Sequence, residues 1–284
     1  MAKRTRDPGT ANPTAPPAAG RGLDPAAAPT GDAPAAGGTP ERRPAGRTAR
    51  GIRPLAFELG YQRHADSSCL VRAGGTTVLC AVTIDEKIPH FLRGKGQGWI
   101  TAEYAMLPRS TQQRTQRDGF RGRIGGRSHE IQRLIGRSLR AVADLGALGE
   151  RVLIVDCDVL EADGGTRTAS ISGGFVALVL AVQRLKEQHA IESQILGDYL
   201  AAISVGIVDG RVLTDLDYLE DSGAEVDMNV VMTRSGHFVE LQGTAEGRCF
   251  SEEELEAMLT MARGGIRRII TEQRRALGGP RNLP

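Results

Sequence analysis

Aromatic residues are scarce in this chain, at 4% of 284 residues with a single Trp, and neither sign of charge dominates, since 36 Lys and Arg stand against 34 Asp and Glu. That near balance excludes a uniformly basic coat, so any nucleic-acid surface has to be a local patch. Cysteine is sparse too. Cys69, Cys80, Cys157 and Cys249 lie far apart, without the paired spacing of a zinc ribbon or the density of a disulfide scaffold, and this points to a reducing, cytoplasmic setting. No uncharged apolar run of the length needed to span a membrane is evident, and no apolar core follows the basic N-terminus. Neither a membrane span nor a secretory signal is expected.

Proline is almost missing from most of the chain. Nine of the 14 prolines lie at or before Pro44, where Ala and Gly fill most of the remaining positions and Leu23 is the only large aliphatic side chain. Such a stretch buries too little surface to offset chain entropy, so residues 1–47 are expected to form a disordered extension.

Residues 48–278 read as one folded domain, with a short tail at 279–284. Three hairpins are predicted. Residues 68–73 and 76–84 flank Gly74-Gly75, residues 202–208 and 211–216 flank Asp209-Gly210, and residues 228–232 and 237–242 flank a turn at Arg234. Helices are expected from Ile131, Leu134, Ile135, Leu139 and Val142 with Ser128 as N-cap, over the apolar residues 171–185, and after a Ser251-to-Glu254 capping box, where Gly264-Gly265 is expected to weaken or bend the helix. Arg133, Arg137 and Arg140 share the opposite side of the first of these helices, as a solvated face or a contact surface. Strands mixed with separated long helices imply an α+β fold.

Three constellations carry chemistry. The strand-like residues 152–160 run into Gly164-Gly165-Thr166-Arg167 and then the buried helix. A glycine turn feeding a helix N-terminus offers free N–H groups and the positive end of the helix dipole to an anion, and Arg167, Thr166, Thr168 and Ser170 add donors. A second turn, Gly125-Gly126-Arg127, opens the Ser128 helix. The basic stretch Arg109, Arg114, Arg117, Arg121 and Arg123 reads either as a polyanion contact or as a solvated loop. The acidic stretch Asp215, Asp217, Glu220, Asp221, Glu225 and Asp227 is either a solvated loop or a set of oxygen ligands for Mg²⁺ or Mn²⁺, with Asp227 the most sheltered because it enters a strand.

Together these segments resemble the bacterial ribonuclease PH family of phosphate-dependent exoribonucleases, also called tRNA nucleotidyltransferases. The likeness rests on Arg47 and Arg53-Pro54, GQGWITAEY (96–104), MLPRS (106–110), EIQRLI (130–135), DCDV (156–159), ADGGTRTAS (162–170), EDS (220–222), DMNVVM (227–232) and QGTAEG (242–247). The resemblance implies the ribonuclease PH-type α+β fold, mixed and antiparallel sheets packed with helices, assembled as a homohexameric ring, a trimer of dimers. It implies phosphorolytic trimming of tRNA precursors beyond the CCA end, with nucleotide addition as the reverse reaction. It assigns inorganic phosphate to Arg127, Gly165, Thr166 and Arg167, catalysis to Arg127, Arg167, Asp221 and Asp227, metal binding to Asp221 and Asp227, and tRNA contact and assembly to Arg109, Arg114 and Arg117. A non-catalytic RNA-binding subunit of an exosome-like ring is the alternative; it would need the arginines but not the aspartates.

Overall fold

The structure, a computed structural model, describes Arg43, residues 46–117, residues 125–279 and Leu283. Most of the expected N-terminal extension, and Phe120, Arg121 and Arg123 of the basic stretch, lie outside the described residues.

Two sheets are packed with three long helices. The first sheet has the order β1-β2-β3-β5-β4, built from β1 (Leu55–Leu59), β2 (Ser67–Ala73), β3 (Thr76–Asp85), β4 (Trp99–Met106) and β5 (Val152–Glu161). Between β4 and β5 lie α1 (Gly126–Arg140) and the short α2 (Leu145–Leu148). That long connection allows β4 and β5 to run parallel, whereas the other pairs are antiparallel. After α3 (Thr166–Glu187), the second sheet has the order β7-β6-β8-β9, entirely antiparallel, from β6 (Leu200–Val208), β7 (Arg211–Thr214), β8 (Val226–Thr233) and β9 (Phe238–Ala245). A single turn of helix, α4 (Tyr218–Ser222), joins β7 to β8, and α5 (Glu252–Ala276) closes the chain. All three predicted hairpins are present.

The apolar helix α3 lies against β2, β3 and β6 and so contributes to both sheets. It begins at Thr166, earlier than its apolar run predicts, and by length and composition it is sufficient to cross a membrane, contrary to the expectation from sequence. Its apolar side chains are instead used inside the protein, with 83% of that stretch buried. The buried Gln273 of α5 fastens the layers together, donating from Nε2 to the carbonyls of Ser172 and Leu200, each at 3.0 Å.

Four local expectations are corrected. α1 starts at Gly126 with Gly125 as N-cap, two residues ahead of Ser128. α5 has the capping box but continues unbroken through Gly264-Gly265, because the second glycine serves packing: a Cβ there would lie 2.2 Å from Ile203 Cδ1. Arg43, placed by the sequence in the extension, is buried and bound to Glu220, so ordered structure includes a residue ahead of position 48. Leu283, in the expected tail, packs partly buried against the core.

Candidate active site

The turn after β5 is shaped by what crowds it. Gly164 and Gly165 have φ of +74° and +65°, the left-handed region that glycine enters without penalty. A Cβ at Gly164 would lie 2.6 Å from the backbone of Asp217, and one at Gly165 would lie 2.9 Å from Arg53 Nη2. The loop is braced from both sides. Thr76 Oγ1 donates to the Gly164 carbonyl at 2.7 Å and accepts from Asp163 N at 2.9 Å, while Arg53 Nη1 donates to the Asp163 carbonyl. Arg53 is in turn held by Asp215, Nη2 to Oδ1 at 2.7 Å and Nε to Oδ2 at 3.1 Å, which raises the Arg53 pKa despite its burial. The brace fixes the entry to α3, whose free N–H groups and dipole end face outward from the turn.

Arg127 and Arg167 each stand second in their helix, α1 and α3. With Gly165, Thr166, Asp221, Asp227 and Glu246 they line one cleft of about 490 Å³. Its electrostatics follow from that convergence. Burial pushes Asp227 up to about 6, the Asp221 charge adds to this, and Arg167 and Arg127 oppose it. Burial also raises Asp221, again opposed by Arg127 and Arg167. The buried Tyr104 hydroxyl, 2.9 Å from Thr166 Oγ1, is raised by desolvation and opposed by that hydrogen bond and by the same two arginines. Asp221 and Asp227 line the cleft with the two guanidinium groups, and Tyr104 lies behind its wall, bonded to Thr166.

Asp227 is poorly served by the protein. Its Oδ2 accepts from Asn229 Nδ2 at 3.4 Å, and its Oδ1 is buried with no hydrogen-bond partner among the described residues. A buried carboxylate oxygen in that state calls for a proton or a cation. Asp221, on α4, supplies a second carboxylate in the same cleft. The two carboxylates are oxygen donors of the kind a hard divalent cation takes; among the described residues no group of three or more His, Cys, Asp and Glu gathers as a complete metal site.

The acidic stretch therefore divides. Asp215 binds Arg53, Asp217 caps α4 and binds Arg47 at 2.9 Å, Glu220 binds Arg43 and Arg47, and Glu225 binds Arg248. Only Asp221 and Asp227 line the cleft. The four others are neither a solvated loop nor ligands but the acidic halves of ion pairs. The hydroxyls divide as well: Thr168 and Ser170 donate to carbonyls of their own helix, at 2.9 and 2.8 Å, and only Thr166 lines the cleft. Arg109, Arg114 and Arg117 are exposed on the loop after β4; Thr111 and Thr115 of that loop line the cleft but the arginines do not.

Several lining residues were not singled out by chemistry in the sequence. Arg167 Nη1 donates to Gln242 Oε1 at 2.8 Å, and Gln242 Nε2 donates to Glu130 Oε1 at 2.7 Å, a chain from α3 through β9 to α1 that orients the guanidinium. Asn229, Tyr218 and Glu246 complete the wall. Their only local signal is polarity within strands or at a turn, and it acquires meaning once the second sheet folds against α3.

Comparison with known proteins agrees with this layout. Residues 51–182 match the model of the 3′ exoribonuclease family, domain 1, and residues 198–265 match domain 2 of that family. A ribonuclease PH of Syntrophomonas wolfei subsp. wolfei is 56% identical over 236 residues, 83% of this chain and 99% of its own length. Among solved structures, Rrp46 of rice (Oryza sativa) superposes with a TM-score of 0.66 at 21% identity, covering 83% of this chain and all of that one. The Archaeoglobus fulgidus exosome with RNA bound to the active site gives a TM-score of 0.66 at 20% identity, over 81% of this chain and 92% of that one. These two likenesses are of fold alone.

Proposed function

This chain belongs to the 3′ exoribonuclease family and is a phosphate-dependent 3′-to-5′ exoribonuclease, and from that premise we propose that it trims tRNA precursors and other structured RNAs beyond the CCA end as a homohexameric ring in the cytoplasm. The observation that carries the site assignment is the single cleft in which Arg127, Arg167 and the start of α3 face Asp221 and Asp227.

In this reading Arg127, Arg167 and the backbone at Gly165 and Thr166 hold inorganic phosphate and aim one of its oxygens at the terminal phosphodiester. Attack forms a P–O bond to the incoming phosphate and breaks the P–O3′ bond of the chain, so RNA of n+1 nucleotides and phosphate become RNA of n nucleotides and a nucleoside diphosphate. The Glu130–Gln242–Arg167 chain keeps the guanidinium in position. The Asp221 charge adds to the burial strain on Asp227, and a proton or a cation at the pair would relieve what Arg167 and Arg127 leave. Mg²⁺ or Mn²⁺ held there would offset the charge that develops around the attacked phosphorus. The exposed Arg109, Arg114 and Arg117 contact RNA or neighbouring subunits. Cysteines that are all unpaired suit a reducing compartment.

The test is to incubate the protein and Mg²⁺ with a labelled tRNA bearing a short 3′ trailer, with and without inorganic phosphate. Nucleoside diphosphates released only with phosphate are the expected outcome. Monophosphates released without it would mean hydrolysis, and binding without release would favour a non-catalytic ring subunit.

A further inference from the structure

The outer side of α5 carries Arg263, Arg267 and Arg274, and the turn between β8 and β9 brings Arg234 beside them. These four guanidinium groups line one cavity of about 340 Å³ whose apolar floor is Met232, Ile266 and Ile270. No described carboxylate lies within ion-pair distance of any of the four, whereas Arg275, one residue on, is bound to Glu272 at 2.9 Å. Arg263 lies over the Phe238 ring, 5.2 Å from its centre. A second cavity of about 360 Å³ adjoins the first, sharing Arg267 and Thr271 with it and adding Arg50 and Arg268. From Arg263 to Arg274 the row extends about 16 Å along the helix axis.

Like charges gathered without acidic partners repel one another, and the arrangement is relieved when a polyanion lies along it. The row lies away from the cleft. Asp227 and Thr233 are separated by about 20 Å along β8. Met232, on the floor of the cavity, also points to the sheet face opposite Asp227 and Asn229.

We propose that this arginine row on α5 is a second RNA-binding surface, which holds the phosphate backbone in the body of a folded RNA while its 3′ end occupies the cleft. The proposal rests on the exoribonuclease reading above. A folded RNA has phosphates far from its 3′ end, and a short oligonucleotide has none that reach this face. The two therefore respond differently to loss of the row. The charge of the row is of one sign and its spacing is that of a track, which suits a nucleic-acid backbone better than a protein surface of mixed charge.

The experiment compares the full-length protein with Arg263→Gln/Arg267→Gln/Arg274→Gln and with the corresponding triple Lys variant. KM for a tRNA precursor and for a tetraadenylate is measured across a salt series, with sedimentation of each variant. The Gln variant is expected to raise KM for the precursor about 10-fold and to lower the slope of log affinity against log salt by about 2 to 3. Tetraadenylate kinetics should stay unchanged, and the Lys variant should keep the wild-type slope. An unchanged precursor KM and slope would overturn the proposal. A changed sedimentation with both substrates impaired would do so too, by making the face a subunit interface. Failure of the wild-type protein to release diphosphates from tetraadenylate would instead remove the exoribonuclease reading itself.

Discussion

At the scale of single residues, the cleft brings two fixed positive charges together with two carboxylates, of which Asp227, with a buried oxygen, tolerates charge poorly. If Arg127 and Arg167 hold phosphate as proposed, truncating either removes a counter-charge, and among the described residues no other arginine lines the cleft to replace it. Arg127→Ala or Arg167→Ala is expected to lower phosphate-dependent turnover at least about 100-fold, with the circular dichroism and melting curve of the wild type. Near-wild-type turnover at saturating phosphate would remove that residue from the mechanism. Asp227 gives a prediction of opposite kind. Its pKa in the folded protein is about 6, above the ordinary value of 3.8, so the folded state binds its proton more tightly than the unfolded chain. The stability linked to that proton is present in full below the ordinary value and is lost as pH rises through 6. Asp227→Asn is therefore expected to stabilise the fold by up to about 3 kcal/mol at pH 7.5 and by no more than about 0.5 kcal/mol at pH 4, while abolishing phosphorolysis. Mg²⁺ should raise the melting temperature of the wild type at pH 7.5 and not that of the Asn variant. A variant no more stable than the wild type at pH 7.5 would mean that Asp227 is not under this strain.

At the scale of elements, hairpins and amphipathic faces were legible because each is set by residues a few positions apart: Gly74-Gly75, Asp209-Gly210, and the capping box before α5. The glycine turn before α3 was legible for the same reason, as a strand, two glycines and a helix in sequence order. The sorting of the acidic stretch was not. Whether Asp215, Asp217 and Glu220 face solvent or arginine depends on Arg43, Arg47 and Arg53, more than 160 residues away. The glycine pair in α5 shows the same limit, since propensity treats both glycines alike while packing does not. A Cβ at Gly264 meets nothing within 4 Å, whereas one at Gly265 would lie 2.2 Å from Ile203 Cδ1. Gly264→Ala is expected to stabilise the protein by about 0.5 to 1 kcal/mol, through helix propensity alone. Gly265→Ala is expected to destabilise it by about 1 to 3 kcal/mol, through overpacking against β6. Denaturant midpoints of the two variants check this, and equal shifts would show that α5 does not approach β6 so closely.

At the scale of the whole molecule, the fold leaves β9 as the outermost strand of its sheet, with eight residues, no proline, and Phe238 and Leu241 39% and 47% exposed. An edge of that kind is a pairing surface unless something covers it. It is also part of the site, because Gln242 and Thr244 on the same strand line the cleft and Gln242 holds Arg167. Covering the edge with another copy of the chain would bury apolar surface and stiffen the strand that carries Gln242 together, so under the proposed ring, assembly and activity are expected to be linked. Sedimentation at micromolar concentration should give a particle six times the 30.3 kDa chain mass. Leu241→Asp places a charge at the centre of the exposed strand and is expected to shift the particle to smaller species, with a rise in KM for phosphate because Gln242 loses its support. A monomeric wild type, or a Leu241→Asp variant that keeps both its mass and its phosphate affinity, would separate the edge strand from assembly and leave Gln242 positioned within one chain, by Glu130 and Arg167.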